Sequence, residues 1–151
     1  MPILQTGFGP SLVSTPANAS MSYPSQTSSY REMELLSASP ERLVVIMFEQ
    51  LVVNLERARI AMERNEIELR VTALRRARGL LGELLATLDF EKGGKLATQL
   101  ADLYQFMLYE MVDVGIRGDL KVMRKLVSIA SHLRDGFIGA AQQTQALQKS
   151  A

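Results

Sequence analysis

From Leu43 to Ile138 apolar side chains recur mainly at intervals of three and four residues, and no proline follows Pro40. That spacing matches the 3.6-residue turn of an α-helix, and nowhere do Val, Ile and Thr alternate with polar residues as half-buried strands require. The chain therefore reads as all-α. Its charge is distributed just as unevenly: all 17 Lys and Arg and all 16 Asp and Glu lie at or after Arg31. Residues 1–30 carry seven Ser, three Thr and four of the five Pro, a composition that cannot bury enough apolar surface to offset the entropy of ordering. Residues 1–29 are accordingly read as a disordered Ser/Pro-rich arm, 30–141 as the helical domain, and 142–151, which lacks an apolar period, as a flexible tail.

Capping residues set the helix boundaries. Ser39-Pro40-Glu41 places an N-cap hydroxyl ahead of a proline at the first helical position and a carboxylate at the positive dipole end. Asn65 can take the left-handed conformation that ends this first helix, and a second follows from about Glu66. Asp89 to Gly94 reads as a loop, so the third helix begins near Lys95. Gly118 is suited to the C′ position and Asp119 to the next N-cap, which starts the fourth. Four helices joined by very short turns favour antiparallel neighbours, so the expected fold is an up-and-down four-helix bundle.

Several chemistries are excluded or weakened by composition. Without cysteine there is no disulfide framework, thiolate nucleophile or Cys-based metal site, and a net charge of +1 lacks the basic excess of a phosphate-binding surface. A di-metal carboxylate bundle needs Glu-x-x-His pairs, but His132 is the single histidine, Ile129 stands three residues before it, and helical rotation puts it on a polar face. Arg70, Arg75, Arg76 and Arg78 spread around their helix and read as a solvated face, with Glu66 spaced to pair with Arg70. Gly93-Gly94 lacks the remainder of a phosphate loop and reads as a turn, while Arg117-Gly118-Asp119 is explained by capping. No cofactor, metal or catalytic group is expected, and the chain is not read as an enzyme. No apolar run approaches the roughly 18 residues needed to span a bilayer, and no export signal is visible. No nucleic acid or membrane partner is expected.

What remains unexplained is apolar. Ile46 and Val53 project roughly opposite the core stripe of the first helix, with Val45 and Val52 at its edge. Met47, Met62, Met107, Met111 and Met123 supply adaptable surface that could fill the core or accommodate a partner. A groove for an amphipathic partner helix uses such residues as anchors.

Tyr30 followed by Ala38-Ser39-Pro40-Glu41, Leu88-Asp89 with Gly93-Gly94, Leu96-Ala97 and Leu100, Leu103-Tyr104 with Met107, and Leu133-Arg134-Asp135 form an ordered set over about residues 30–141. Together they resemble the bacterial flagellar secretion chaperone family FliS. The chain departs from the family at Met47-Phe48-Glu49-Gln50, where Leu-Tyr-Asp-Gly is frequent, and at Phe137, where a Trp is found. The resemblance implies a chaperone in the bacterial cytosol that binds the disordered C-terminal segment of flagellin, blocks premature polymerisation and assists type III export, with the export gate protein FlhA as a further partner. It makes Tyr30, Ile46, Val53, Tyr104, Met107 and Met111 the candidate client contacts, Tyr30 serving either as a cap or as an ordinary helix-docking aromatic. The competing reading is a structural bundle without a client, whose apolar excess closes a homodimer. The chaperone itself would be a monomer or a weak homodimer.

Overall fold

The computed structural model describes residues 26–150, and the arm expected over residues 1–29 lies outside them as far as residue 25. The described residues form five α-helices and no strand: α1 Gln26–Ser37, α2 Pro40–Glu63, α3 Ile67–Ala86, α4 Phe90–Arg117 and α5 Leu120–Ser150. Among the described residues, those up to Ala38 form one unit and those from Ser39 onward another.

Each boundary in the second unit has a local cause. Ser39 is extended and its hydroxyl accepts from the Arg42 amide at 3.2 Å, with Pro40 opening α2. The helix ends in a Schellman turn: Asn65 has φ 57°, its amide donates to the Met62 carbonyl, and the Glu66 amide donates to Ala61 at 2.9 Å. Gly118, at φ 70°, closes α4, and Asp119 caps α5 by accepting from the Lys121 amide at 2.9 Å.

Within this unit α2 packs on α3 and α5, and α4 also packs on α3 and α5. The enclosed core is built from Phe48, Leu51 and Leu55 of α2, Leu74, Leu81 and Leu84 of α3, Tyr104, Met107 and Met111 of α4, and Met123 and Leu126 of α5. Val45 and Val52, expected at the edge of the stripe, are buried as well.

Four local expectations are corrected. A helix occupies Gln26–Ser37, including four residues assigned to the arm. Absence of charge marks the start of this segment, but Arg31 to Leu36 are good helix formers, and the Ser37 hydroxyl donates to the Met33 carbonyl at 2.7 Å. Asp89 to Gly94 is not a loop: Asp89 caps α4 by accepting from the Glu91 and Lys92 amides, and only Gly94, at φ 51° and ψ −124°, interrupts the helix. At the other end α5 continues to Ser150, because Ala and Gln favour helix even where no apolar stripe demands it. Glu66 and Arg70 make no ion pair; the Arg70 Nε is instead enclosed without a hydrogen-bond partner.

Chemical denaturation checks this account of the core and the cap. Ser39→Ala should lower stability by about 0.5–2 kcal/mol and Phe48→Ala by about 3–5 kcal/mol. Equal midpoints for the two variants would contradict it.

Candidate functional site

The capped turn at Asp89 and the break at Gly94 set one wall of an apolar trough. Gly93 is required there, since a Cβ at that position would lie 2.8 Å from the Ala97 Cβ, and the left-handed φ of Gly94 turns the following residues across the end of α3. Leu88, Leu96, Ala97 and Leu100 thereby line a recess of about 210 Å³, closed by Val44 of α2 and Phe137 of α5. Val44 and Phe137 also wall a second recess of about 280 Å³, between Pro40 and Glu41 of α2 and Ala140, Ala141 and Thr144 of α5. Val44 and Phe137 thus border both recesses, which together are called the trough.

An aromatic row supports it. Phe48 is fully enclosed, stacks on Phe137 with ring centroids 4.8 Å apart and planes 26° from parallel, and meets Tyr104 at 6.2 Å and 58°. Such pairs contribute about 0.5–1.5 kcal/mol each beyond area burial. Tyr104 forms part of the wall of the first recess, and burial pushes its phenol up to about 12. Leu96 stands at the mouth, 62% exposed, where an incoming apolar side chain would cover it. Glu41, Asp89 and Thr144 add polar groups to the walls. The trough can hold a row of apolar side chains. His132 is exposed on α5 with Nδ1 2.8 Å from the Ser128 carbonyl, and no cluster of three or more metal-ligating side chains occurs among the described residues.

The sequence matches the family model described as "Flagellar protein FliS" over residues 21–144. The chain belongs to the FliS family. It is 30% identical over 107 residues to the flagellar secretion chaperone FliS of Salmonella typhimurium, a match covering 70% of this chain and 79% of that protein. It is likewise 30% identical over 108 residues to the flagellar secretion chaperone FliSB of Pseudomonas aeruginosa, covering 72% and 86%. With FliS of Campylobacter jejuni it shares 38% identity over 66 residues, covering 44% and 52%. This is a family of chaperones rather than enzymes, and no helix among the described residues of this FliS-family chain is long and apolar enough to cross a membrane.

The trough brings together only one of the residues singled out from sequence. Tyr104 lies in its wall, whereas Met107 and Met111, one and two turns further along the same face of α4, are fully buried among the helices. They fill the core, and an undisturbed chain offers them to no partner. Ile46 is half-buried and Val53 is 38% exposed, on a line of α2 that does not enter the trough. Tyr30 is 71% exposed on α1, in the other unit. The residues missed as contacts are Val44, Leu88, Leu96, Leu100, Phe137 and Ala140. A signal for three of them was present, because Leu88, Leu96 and Leu100 belong to the segment that carries the family resemblance.

The raised Tyr104 phenol gives a pH test. Below pH 10 both folded and unfolded chains hold the proton; between 10 and about 12 the unfolded chain releases it while the folded chain keeps it, so stability falls as pH rises. Tyr104→Phe should have a shallower loss of stability across that interval in denaturant melts. Parallel curves for the two proteins would show that the ring is solvated.

Proposed function

We propose that this FliS-family chain is a bacterial cytosolic export chaperone that holds the disordered C-terminal segment of flagellin in the trough between α2, α4 and α5. The bound segment is kept from premature polymerisation and is delivered for flagellar type III export, with FlhA as the acceptor. The observation that carries this reading is that the trough is walled by Leu88, Leu96 and Leu100, from the same segment that resembles the family. In this reading the four helices of the second unit run up and down antiparallel to one another, as the short turns at Asn65 and Gly118 favour.

The energetics set a requirement on the surface. A segment that folds on binding has an ordering cost of about 2–5 kcal/mol and must bury on the order of 1,000–3,000 Å². Two recesses accept anchor side chains but not that area. We therefore extend the client path to the exposed parts of Ile46 and Val53 on α2, and Tyr30, exposed on α1 of the other unit, is a separate candidate contact. Tyr104 acts from the trough wall, and Met107 and Met111 act by keeping α4 in place.

A second reading, self-association, is favoured by one observation: Phe106, Tyr109, Val112 and Ile116 form an exposed apolar line along α4 at intervals of three, three and four residues. Sizing separates the two. A chaperone elutes as a monomer and shifts to a one-to-one complex on adding the flagellin C-terminal segment, whereas a closed homodimer does not take up the segment.

Calorimetry with the flagellin C-terminal segment should show binding with a negative heat-capacity change and weak salt dependence, since the anchors are apolar. Leu96→Asp should weaken it by about tenfold or more with the melting midpoint retained, because a charge would be placed against a bound apolar side chain. Ile46→Asp with Val53→Asp should weaken it less. No heat at tens of micromolar segment would refute the flagellin assignment.

A further inference from the structure

Away from the trough, α2 and α3 enclose a second cleft of about 360 Å³ with a mainly apolar lining, in which Ala61 and Ala73 are buried at the base beside Asn54 and the more exposed Ile60 and Leu69 add apolar sides. Val44 and Ile60 stand sixteen residues apart on α2, which places the two recesses about 24 Å apart along that helix. The walls of the second cleft differ in kind from those of the trough. Arg57, Arg64 and Arg76 line it against a single acidic residue, Glu66. Nearby carboxylates do not neutralise these arginines: Glu56 pairs with Arg59 at 2.7 Å, and Glu63 with Arg59 at 2.8 Å and Arg124 at 3.6 Å. None of the three makes an ion pair among the described residues. The rest of the chain cannot supply the charge from its N-terminal end, because residues 1–30 contain no Asp or Glu.

A mainly apolar lining under unpaired guanidinium groups selects an occupant with both properties. Arg57 and Arg64 are seven residues apart, two turns and about 10 Å along α2, and Arg76 lies across the cleft on α3. An amphipathic helix with a narrow apolar stripe flanked by carboxylates two turns apart meets the apolar lining and both rims together, and the planar guanidinium favours carboxylate partners through paired hydrogen bonds. We propose that the α2–α3 cleft is a second docking site, for an acidic amphipathic segment of a partner protein, separate from the trough and independent of whether flagellin occupies it.

Two synthetic helical peptides test this, with the same leucine stripe and with either glutamate or lysine on both flanks. Each is titrated into the full chain by fluorescence anisotropy at low and high salt. The glutamate peptide should bind at least about tenfold tighter than its lysine twin and lose affinity as salt rises. Arg57→Gln, Arg64→Gln and Arg76→Gln combined should remove that preference while the helical signal and melting midpoint stay unchanged; Leu96→Asp in the trough should leave it intact. Equal binding of the two peptides, loss through Leu96→Asp instead of the arginine variant, or no binding of either peptide at hundreds of micromolar would overturn the proposal. So would an arginine-dependent affinity confined to phosphatidylglycerol vesicles or to a polyuridylate oligonucleotide, which would assign the cleft to a lipid surface or to RNA.

Discussion

The stack of Phe48 on Phe137 is the contact on which the functional end of this chain depends. It joins the first half of α2 to the second half of α5, and Tyr104 brings α4 against the same ring. One of the three aromatic rings is completely enclosed and another lies in the wall of both recesses, so the contact that closes the core also walls the trough. The trough is thereby fixed by core packing rather than by loop conformation, and a bound segment meets a wall whose shape does not have to be assembled at the moment of binding.

Backbone geometry completes that wall. Asp89 holds one helical turn ahead of Gly94, and the dihedral angles at Gly94 are ones that a residue with a Cβ adopts only under strain. The direction change places Leu96 and Leu100 beside the end of α3, and Ala97, Ala140 and Ala141 keep the channel open by being small. Two recessed surfaces thereby sit toward opposite ends of α2: a mainly apolar trough with Glu41 and Asp89 at its walls, and an arginine-lined cleft.

The start and end of α2, the end of α4 and the start of α5 were legible in the sequence because each rests on a single side chain with a local role, whereas the start of α4 was not, because Gly93-Gly94 outweighed the Asp89 cap. Ser39, Asn65, Gly118 and Asp119 all act as their chemistry suggests. The helix before Ser39 was not legible, since the Ser and Pro content upstream outweighs a short run of helix formers, and neither was the continuation of α5, which has no stripe to reveal it. The site was only partly legible for a different reason. Periodicity separates core from surface but does not separate a buried stripe from a groove floor, so Tyr104, Met107 and Met111 look alike in sequence although only Tyr104 reaches the trough. Ile46, half-buried, and Val53, 38% exposed, lie off the enclosed core, and angular position on one helix carries no information about which neighbouring helix a residue faces. The motif around Leu88 and Leu96 pointed to the trough, but as a resemblance and not through any property of its spacing.

Methyl nuclear magnetic resonance during titration with the flagellin C-terminal segment tests the central claim most directly, because it reports on each wall of the trough separately. The account predicts that the methyl signals of Val44, Leu88, Leu96 and Leu100 shift or broaden to saturation at one equivalent, with those of Ile60 and Leu69 in the arginine-lined cleft unaffected. Saturating shifts confined to Val112 and Ile116 of α4, with the trough methyls unmoved, would contradict it.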